Sequence, residues 1–485
     1  MAQHFDVIII GGELPGRLMA GLLTRAGRRV LVLDQGECIP HYEHEGWVLP
    51  KRSDLLPDPD GSVRIRNIHR TLGFHFERSE RSDERPLYQV VLPKHRFKLF
   101  AARPQREREL GRIKLSNPQS ETLIDALNRA DIALDQYLAS EPLLAPLGWF
   151  EHFKAKRQWQ RALPAETTPE ITPHPVNDAL LAPEKLLSFL QPDNESTARA
   201  ARLTSLFFQG IHPRGADGDS FDAQLNERLV EMGVEFQVAT PIDSIQIKWG
   251  KLKSILLKKA GETLTADFFV ANTLLPLEEL LEGKYATRSY LKRPESLALC
   301  GGLLHLNLVV HQDVIPEGMS ERVLLQTERG PLLLQLSPAR RAPSNRQHDP
   351  FGQRDADHVT LTLSRSTKVD ELQAGSDRLA EIEKELHQEL STVIPFLESH
   401  VVTSSFAVNQ AGTAPNLKLH PYYSSVEALP LGFVGRSVRT RYRNLLHVGH
   451  DVLPGLGFEG LYITAQEAAA RLTKLAGRKW REPRS

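Results

Sequence analysis

A buried strand broken at Gly11-Gly12, an acid closing the next strand at Asp34, and a strand–glycine–helix passage near the C-terminus together predict an α/β fold. The type they predict is a Rossmann-like three-layer domain, discontinuous in sequence, with an α+β domain inserted into it. Residues 5–10 are apolar and β-branched with little polar alternation, as in a parallel strand covered on both faces. Gly11-Gly12 interrupts them. Leu18, Leu22 and Leu23 then mark one face of a helix that stops near Gly27. Residues 29–33 form a second buried strand. These parts fill about thirty residues, the span of a βαβ unit.

Residues 35–75 read as polar and irregular, and 78–112 as a charge-dense, hairpin-like insertion. Helical spacing covers 120–153 and 186–208, separated by a loop with Pro164, Pro169, Pro173 and Pro175. A helix at 221–232 ends at Gly233, followed by strands at 235–239, 244–248, 252–258 and 268–270. Strands at 303–310 and 359–364 flank a polar segment, 337–358, read as a mobile loop. Leu379, Ile382, Leu386 and Leu390 form a helical stripe, and a strand at 445–448 enters a glycine turn and an alanine-rich helix. The expected division is a cofactor domain of 1–75, 205–285 and 435–485, with a substrate domain of 76–204 and 286–434.

Composition narrows the function. The 485 residues carry 60 basic and 60 acidic side chains, so nothing in the net charge invites a nucleic acid. The only cysteines are Cys38 and Cys300, too few for a disulfide framework and in keeping with a reducing cytoplasm. No basic leader and no run of about 18 apolar residues is present, so neither a signal peptide nor a membrane span is expected. A local apolar patch would still permit peripheral membrane contact.

The strongest motif is Gly11-Gly12-Glu13-Leu14-Pro15-Gly16, between a strand and a helix. In a dinucleotide fold such glycines turn the chain, admit a pyrophosphate and let helix pack on strand, while an acid such as Asp34 accepts ribose hydroxyls. Glu13 departs from that pattern, because a carboxylate beside a pyrophosphate is repelled unless it turns away or is protonated. Pro15 removes one N–H from the first helical turn. The second motif runs from Asn444 through Gly449, Gly455, Gly457 and Gly460, and the helix start near Glu459 could face a ligand oxygen. His447, His450 and Asp451 form a base–orienter set or simply turn residues. Cys38, His41, Glu43 and His44 are too incomplete for a metal site, so none is expected. Arg436, Arg439, Arg441 and Arg443 read as a solvated face. Asn194-Glu195-Ser196 is a sequon without meaning in a cytoplasmic chain.

Three blocks give the chain a family resemblance: 6–34; 211–215 with Gly233-Val234, Ile242, Ile245 and 266–267; and 444–470. In order and spacing it resembles the flavin amine oxidase and phytoene desaturase-type superfamily of FAD-dependent oxidoreductases. The resemblance implies that Gly11, Gly12 and Gly16 cradle the FAD pyrophosphate, with Glu13 and Pro15 in the same turn. It implies that Asp34 holds the ribose, that Ile242 contacts adenine through its backbone, and that Gly449, Asp451, Gly457 and Gly460 lie along the ribityl chain and flavin. The chain departs from the family at Glu13, at 35–40 where a second glycine pair with arginine is missing, at His450, and at 214–218. Two functions follow. One is an FAD-dependent oxidoreductase taking hydride from a small apolar, isoprenoid-like or amine substrate, with no conspicuous catalytic residue. The other is a non-catalytic binding protein on the same scaffold, similar to the GDP-dissociation-inhibitor type of relative.

Overall fold

The computed structural model describes residues 3–36, 39–53, 56–57, 61–74, 86–114, 118–142, 144, 149–162, 174–191, 197–209, 211–212, 221–238, 241–258, 261–272, 281–282, 297–343, 352–373, 376–407, 420–425 and 434–477. The fold is α/β and Rossmann-like, built on two large sheets. In the first, β1 (Gln3–Ile10) lies parallel between β2 (Val30–Leu33) and the strand Thr263–Ala271. The strand Glu235–Gln237 extends the β2 edge, and Leu445–His447 pairs in parallel with Thr263–Ala271.

Alternation along these strands decides the layers. Val7, Ile9, Val30 and Val32 face α1 (Leu14–Arg25) and the last helix, Gly457–Ala476, in one apolar cluster. Phe5, Ile8, Ile10, Leu31 and Leu33 instead meet Ile242, Ile245, Leu252 and Ile255 of an antiparallel meander in another. A strand with apolar residues at every position needs both covers. The helix–sheet–meander order supplies them.

The second sheet is mostly antiparallel, centred on the long strands Ala298–His311, Gly330–Arg341 and Gln353–Lys368. One face packs against Ile382, Leu386 and Leu390 of the helix Ser376–Ser391. Leu303, Leu324 and Leu333 of the other face join the helical side of the first sheet. The two-domain division stands as our proposal; the hairpin 41–50 of its first segment is hydrogen-bonded into the second sheet through Trp47 and Arg341.

Several local expectations change. The segment 35–75 is not irregular: it holds that hairpin and a helix, Val63–Leu72. Ser62 caps that helix by accepting from the Ile65 N–H at 3.3 Å, and Gly73 ends it in the left-handed region. Four basic side chains, Arg64, Arg66, His69 and Arg70, hide its apolar stripe of Ile65, Ile68 and Leu72. The stretch 186–208 holds the ends of two helices, Pro175–Leu187 and Thr197–Gln209, because Ser188 turns to extended backbone. Much of 337–358 is strand rather than loop, with Arg340 paired to Arg354 and Arg341 to Gln353. Pro175, expected in the proline loop, instead opens the helix Pro175–Leu187; the rest of that loop at 163–173, the sequon and Cys38 lie outside the described residues.

One polar network ties the last helix to the helices packed on it. Arg202, 1 % exposed, reaches Glu459 at 2.6 Å, Asp131 at 2.9 Å and Asp135 at 2.8 Å. Glu459 also accepts from Ser62, the helix cap. The Glu459 side chain therefore faces a cation inside the protein. Replacing Arg202 by Met leaves buried carboxylates without their counter-charge, a loss of about 3–5 kcal/mol. Urea unfolding of R202M should show it; an unchanged midpoint would remove the network from the fold's stability.

Candidate functional site

The candidate site lies where β1 turns into α1. Gly11 takes a φ of 104°, a conformation open to glycine, and its N–H bonds the Leu33 carbonyl at 2.8 Å. The fingerprint from Gly11 through Gly16, Glu13 and Pro15 included, is buried. The N–H of Gly16 donates to Asn272 Oδ1 at 2.8 Å, and Asn272 Nδ2 donates to the Val448 carbonyl at 3.1 Å. A β-carbon on Gly16 would fall 2.1 Å from that Asn272 oxygen, so glycine is required there by packing.

Glu13 turns inward. It is 2 % exposed, and its carboxylate receives the Arg52 guanidinium at 3.1 Å. His450 Nε2 stands 4.0 Å away on the other side. Asp34 is fully buried at the end of β2, its N–H bonded to the Gln237 carbonyl at 3.0 Å. Ile242 is buried between meander and sheet. Glu13, Arg52 and His450 meet at the head of α1, where the resemblance placed a pyrophosphate, whereas Ile242 lies on the meander side of the sheet.

The C-terminal turn approaches the same place. His447 Nε2 and Asp451 Oδ1 are 2.7 Å apart, and Arg436 reaches the other Asp451 oxygen at 3.1 Å. Burial pushes the Asp451 carboxyl up, but His447 and Arg436 outweigh it and hold the group at about 2. The base–orienter geometry is thus formed. Gly449 would set a β-carbon 3.0 Å from Asp451 Oδ1, whereas Gly457 and Gly460 press on the Leu187 and Leu453 carbonyls, each 2.3 Å from the missing β-carbon. These glycines admit neighbouring chain.

A buried polar group that the sequence did not suggest joins this site to the second sheet. Ser53, adjacent to Arg52, contacts His305 Nδ1 at 3.3 Å and bonds Ser364, which is 2.9 Å from the same nitrogen. Phe189 packs between His420 and His450, with ring centroids 4.8 and 4.6 Å away. Burial first, and the Arg52 charge second, push the His305 imidazole down to about 3; burial pushes His420 down as well. Both rings are therefore neutral at pH 7. Among the described residues, His305 Nε2 and His420 Nε2 are buried with no hydrogen-bond partner. His305, His420 and Arg52 carry no local motif; isolated histidines in apolar strands read as core. Among the described residues no group of three or more His, Cys, Asp or Glu could hold a metal ion.

The fold is one that several solved oxidoreductases and amine oxidases share. An oxidoreductase from Methanosarcina mazei is similar over 96 % of this chain and 99 % of its own, with a TM-score of 0.57 and 15 % identity. Putrescine oxidase bound to putrescine is similar over 98 % of this chain and 100 % of its own, with a TM-score of 0.55 and 15 % identity. For cyclohexylamine oxidase from Brevibacterium oxydans the values are 98 % and 100 %, 0.51 and 14 %. At such identities the likeness is one of fold. No family model matches the chain. No curated protein matches its sequence. No helix among the described residues is long and apolar enough to cross a membrane.

The residues at the head of α1 do not fit an FAD pyrophosphate as they stand. The anion's place beside the helix N-terminus holds a buried carboxylate that already has its cation, and Gly16 has given its N–H to Asn272. Two further negative charges there would meet Glu13 at low dielectric.

Two outcomes follow. Glu13→Ala leaves Arg52 buried without its partner and should cost about 3–5 kcal/mol, whereas Glu13→Gln with Arg52→Met removes both charges and should cost much less. Urea unfolding of the three variants measures this, and a double variant as damaged as the single one would refute the pairing. The second concerns pH. The folded state keeps His305 neutral down to about pH 3, while the unfolded chain protonates it near 6.5. Between these values the unfolded state binds more protons, so stability falls as pH falls, by about 2 kcal/mol at pH 5 from this residue. Asp451 acts only below its ordinary value of 3.8, so its loss is separate. Unfolding at pH 7 and pH 5 should show the loss, reduced in His305→Asn.

Proposed function

We propose that this chain is a binding protein on the flavin amine oxidase-type scaffold, with its dinucleotide phosphate site closed by its own side chains. The observation that carries this reading is the buried Glu13–Arg52 pair at the head of α1. Its ligand is a small molecule with an apolar, isoprenoid-like body and a hydroxyl or carbonyl group. His305 Nε2 and His420 Nε2 support that choice, since a buried polar atom without a partner is costly and a ligand oxygen relieves it. Both rings being neutral, they favour an uncharged group over an anion. The two cysteines of the whole chain suit a reducing, cytoplasmic setting.

The FAD-dependent oxidoreductase is the second reading. The left-handed Gly11 and the buried Asp34 closing β2 favour it. In that reading Gly11, Gly12, Gly16, Asp34, Ile242 and Gly449 hold FAD, which supplies the hydride chemistry for an apolar or amine substrate. Arg52 would first have to draw Glu13 aside.

One measurement separates the two. The visible spectrum of the purified protein, native, denatured and after addition of FAD, should show no flavin and no uptake. A flavin spectrum near one equivalent would overturn the binding reading and establish a flavoprotein. Glu13→Gly, which removes the competing carboxylate and leaves Arg52 facing the helix head, should take up added FAD where the parent does not.

A further inference from the structure

The meander carries a surface feature that neither reading uses. Its first two strands, Ile242–Lys248 and Lys251–Leu257, are joined by Trp249 and Gly250 alone. Both turn residues have positive φ, 51° and 70°, which is the geometry of a tight hairpin turn. Asn, Asp or Gly normally fills the first place; a tryptophan there is strained. Trp249 is also 79 % exposed. Neither backbone preference nor packing accounts for it.

Its surroundings are cationic. Lys248, Lys251 and Lys253 of the hairpin are exposed, as are Arg439, Arg441 and Arg443. The two segments are held together: the Arg443 N–H donates to the Gly250 carbonyl at 3.0 Å, and Asn444 bonds both the N–H and the carbonyl of Leu252, at 2.9 and 3.0 Å. Neither 244–253 nor 436–444 contains an Asp or Glu. The nearest carboxylate along the third meander strand, Asp267, has His4 at 3.9 Å. The arginines expected as a plain solvated face therefore combine with three lysines around an extruded indole. Phe396 makes the contrast: it is 81 % exposed and also left-handed, but Glu398 follows it and no lysine or arginine lies within five residues on either side.

We propose that the 248–253 hairpin and the 439–443 segment form a docking surface for an anionic lipid bilayer, with Trp249 inserted at the headgroup level. An indole is stable at that depth, with its ring in the apolar boundary and its N–H toward water. Lysines and arginines around it meet the negative surface potential, each worth about a fivefold gain in partitioning. Exposed basic side chains on two joined segments with a single exposed aromatic favour a lipid surface over single-stranded nucleic acid, where successive bases call for several stacking platforms. Residues 436–443 run from Arg436, paired to Asp451 in the candidate site, to the hairpin tip, so docking would set that site near the bilayer. The inference stands whether or not the protein binds flavin.

Co-sedimentation of the full chain with vesicles tests it, using phosphatidylcholine alone and phosphatidylcholine with one third phosphatidylserine. Binding should require phosphatidylserine and fall away as salt rises from about 0.1 M to about 1 M, where the screening length shrinks from about 10 Å to about 3 Å. Lys248→Ser with Lys251→Ser should weaken it about twenty-five-fold. Trp249→Asn should weaken it about tenfold while leaving the melting temperature unchanged or higher, since asparagine suits the turn. No binding, equal binding to neutral vesicles, or an unaffected Trp249→Asn variant would overturn the proposal. So would poly(U) RNA bound more tightly than the anionic vesicles.

Discussion

The ion pair between Glu13 and Arg52 is the constraint on which the site is built. Glu13 opens α1 on the first sheet, and Arg52 follows a hairpin hydrogen-bonded into the second. Ser53, one residue on, turns to His305 and Ser364 of that second sheet. Two consecutive residues thus join the sheets by polar contacts. Removing both ions from water costs several kcal/mol apiece, and their attraction offsets that only at good geometry. Such a pair specifies a position more than it adds stability. What it specifies here is the head of α1 against the second sheet.

The glycines bear on the same point. In a dinucleotide fold they are read as space for a ligand, but at three of these positions the space is taken by protein: the Asn272 side chain at Gly16, the Leu187 carbonyl at Gly457 and the Leu453 carbonyl at Gly460. Close approach of backbone to backbone demands glycine as strictly as close approach to a phosphate does. Glycines retained in such a motif are therefore weak testimony about a cofactor. A carboxylate that is buried and paired in their midst is stronger, because charge is far costlier to misplace than a methyl group.

The fold was legible because its signals are local. The run Val7-Ile8-Ile9-Ile10, the break at Gly11 and the closing Asp34 follow from the needs of a strand buried on both faces. The Val63–Leu72 helix was hidden because its stripe is interleaved with arginines, two of whose long side chains, at 66 and 70, are exposed. The site was half legible. Glu13 and its conflict with an anion could be read directly, yet its resolution depended on Arg52, thirty-nine residues away and brought in by a hairpin that the sequence did not announce. His305 and His420 were invisible for the same reason: each is a lone polar residue whose meaning comes from strands distant in the chain.

The neutral histidines and the paired carboxylate together explain how one interior can hold so many ionisable groups. Arg52 balances Glu13 and disfavours a proton on His305, and Arg436 balances Asp451, so the buried charges are paired while the His305 and His420 imidazoles remain uncharged. A group bound beside His305 and His420 meets neutral imidazoles and the Phe189 ring. A dianionic pyrophosphate would upset that balance, whereas an apolar molecule with one hydrogen-bonding group would leave it intact. Selection between such ligands is thus set by where the charge already sits, before any pocket shape is considered.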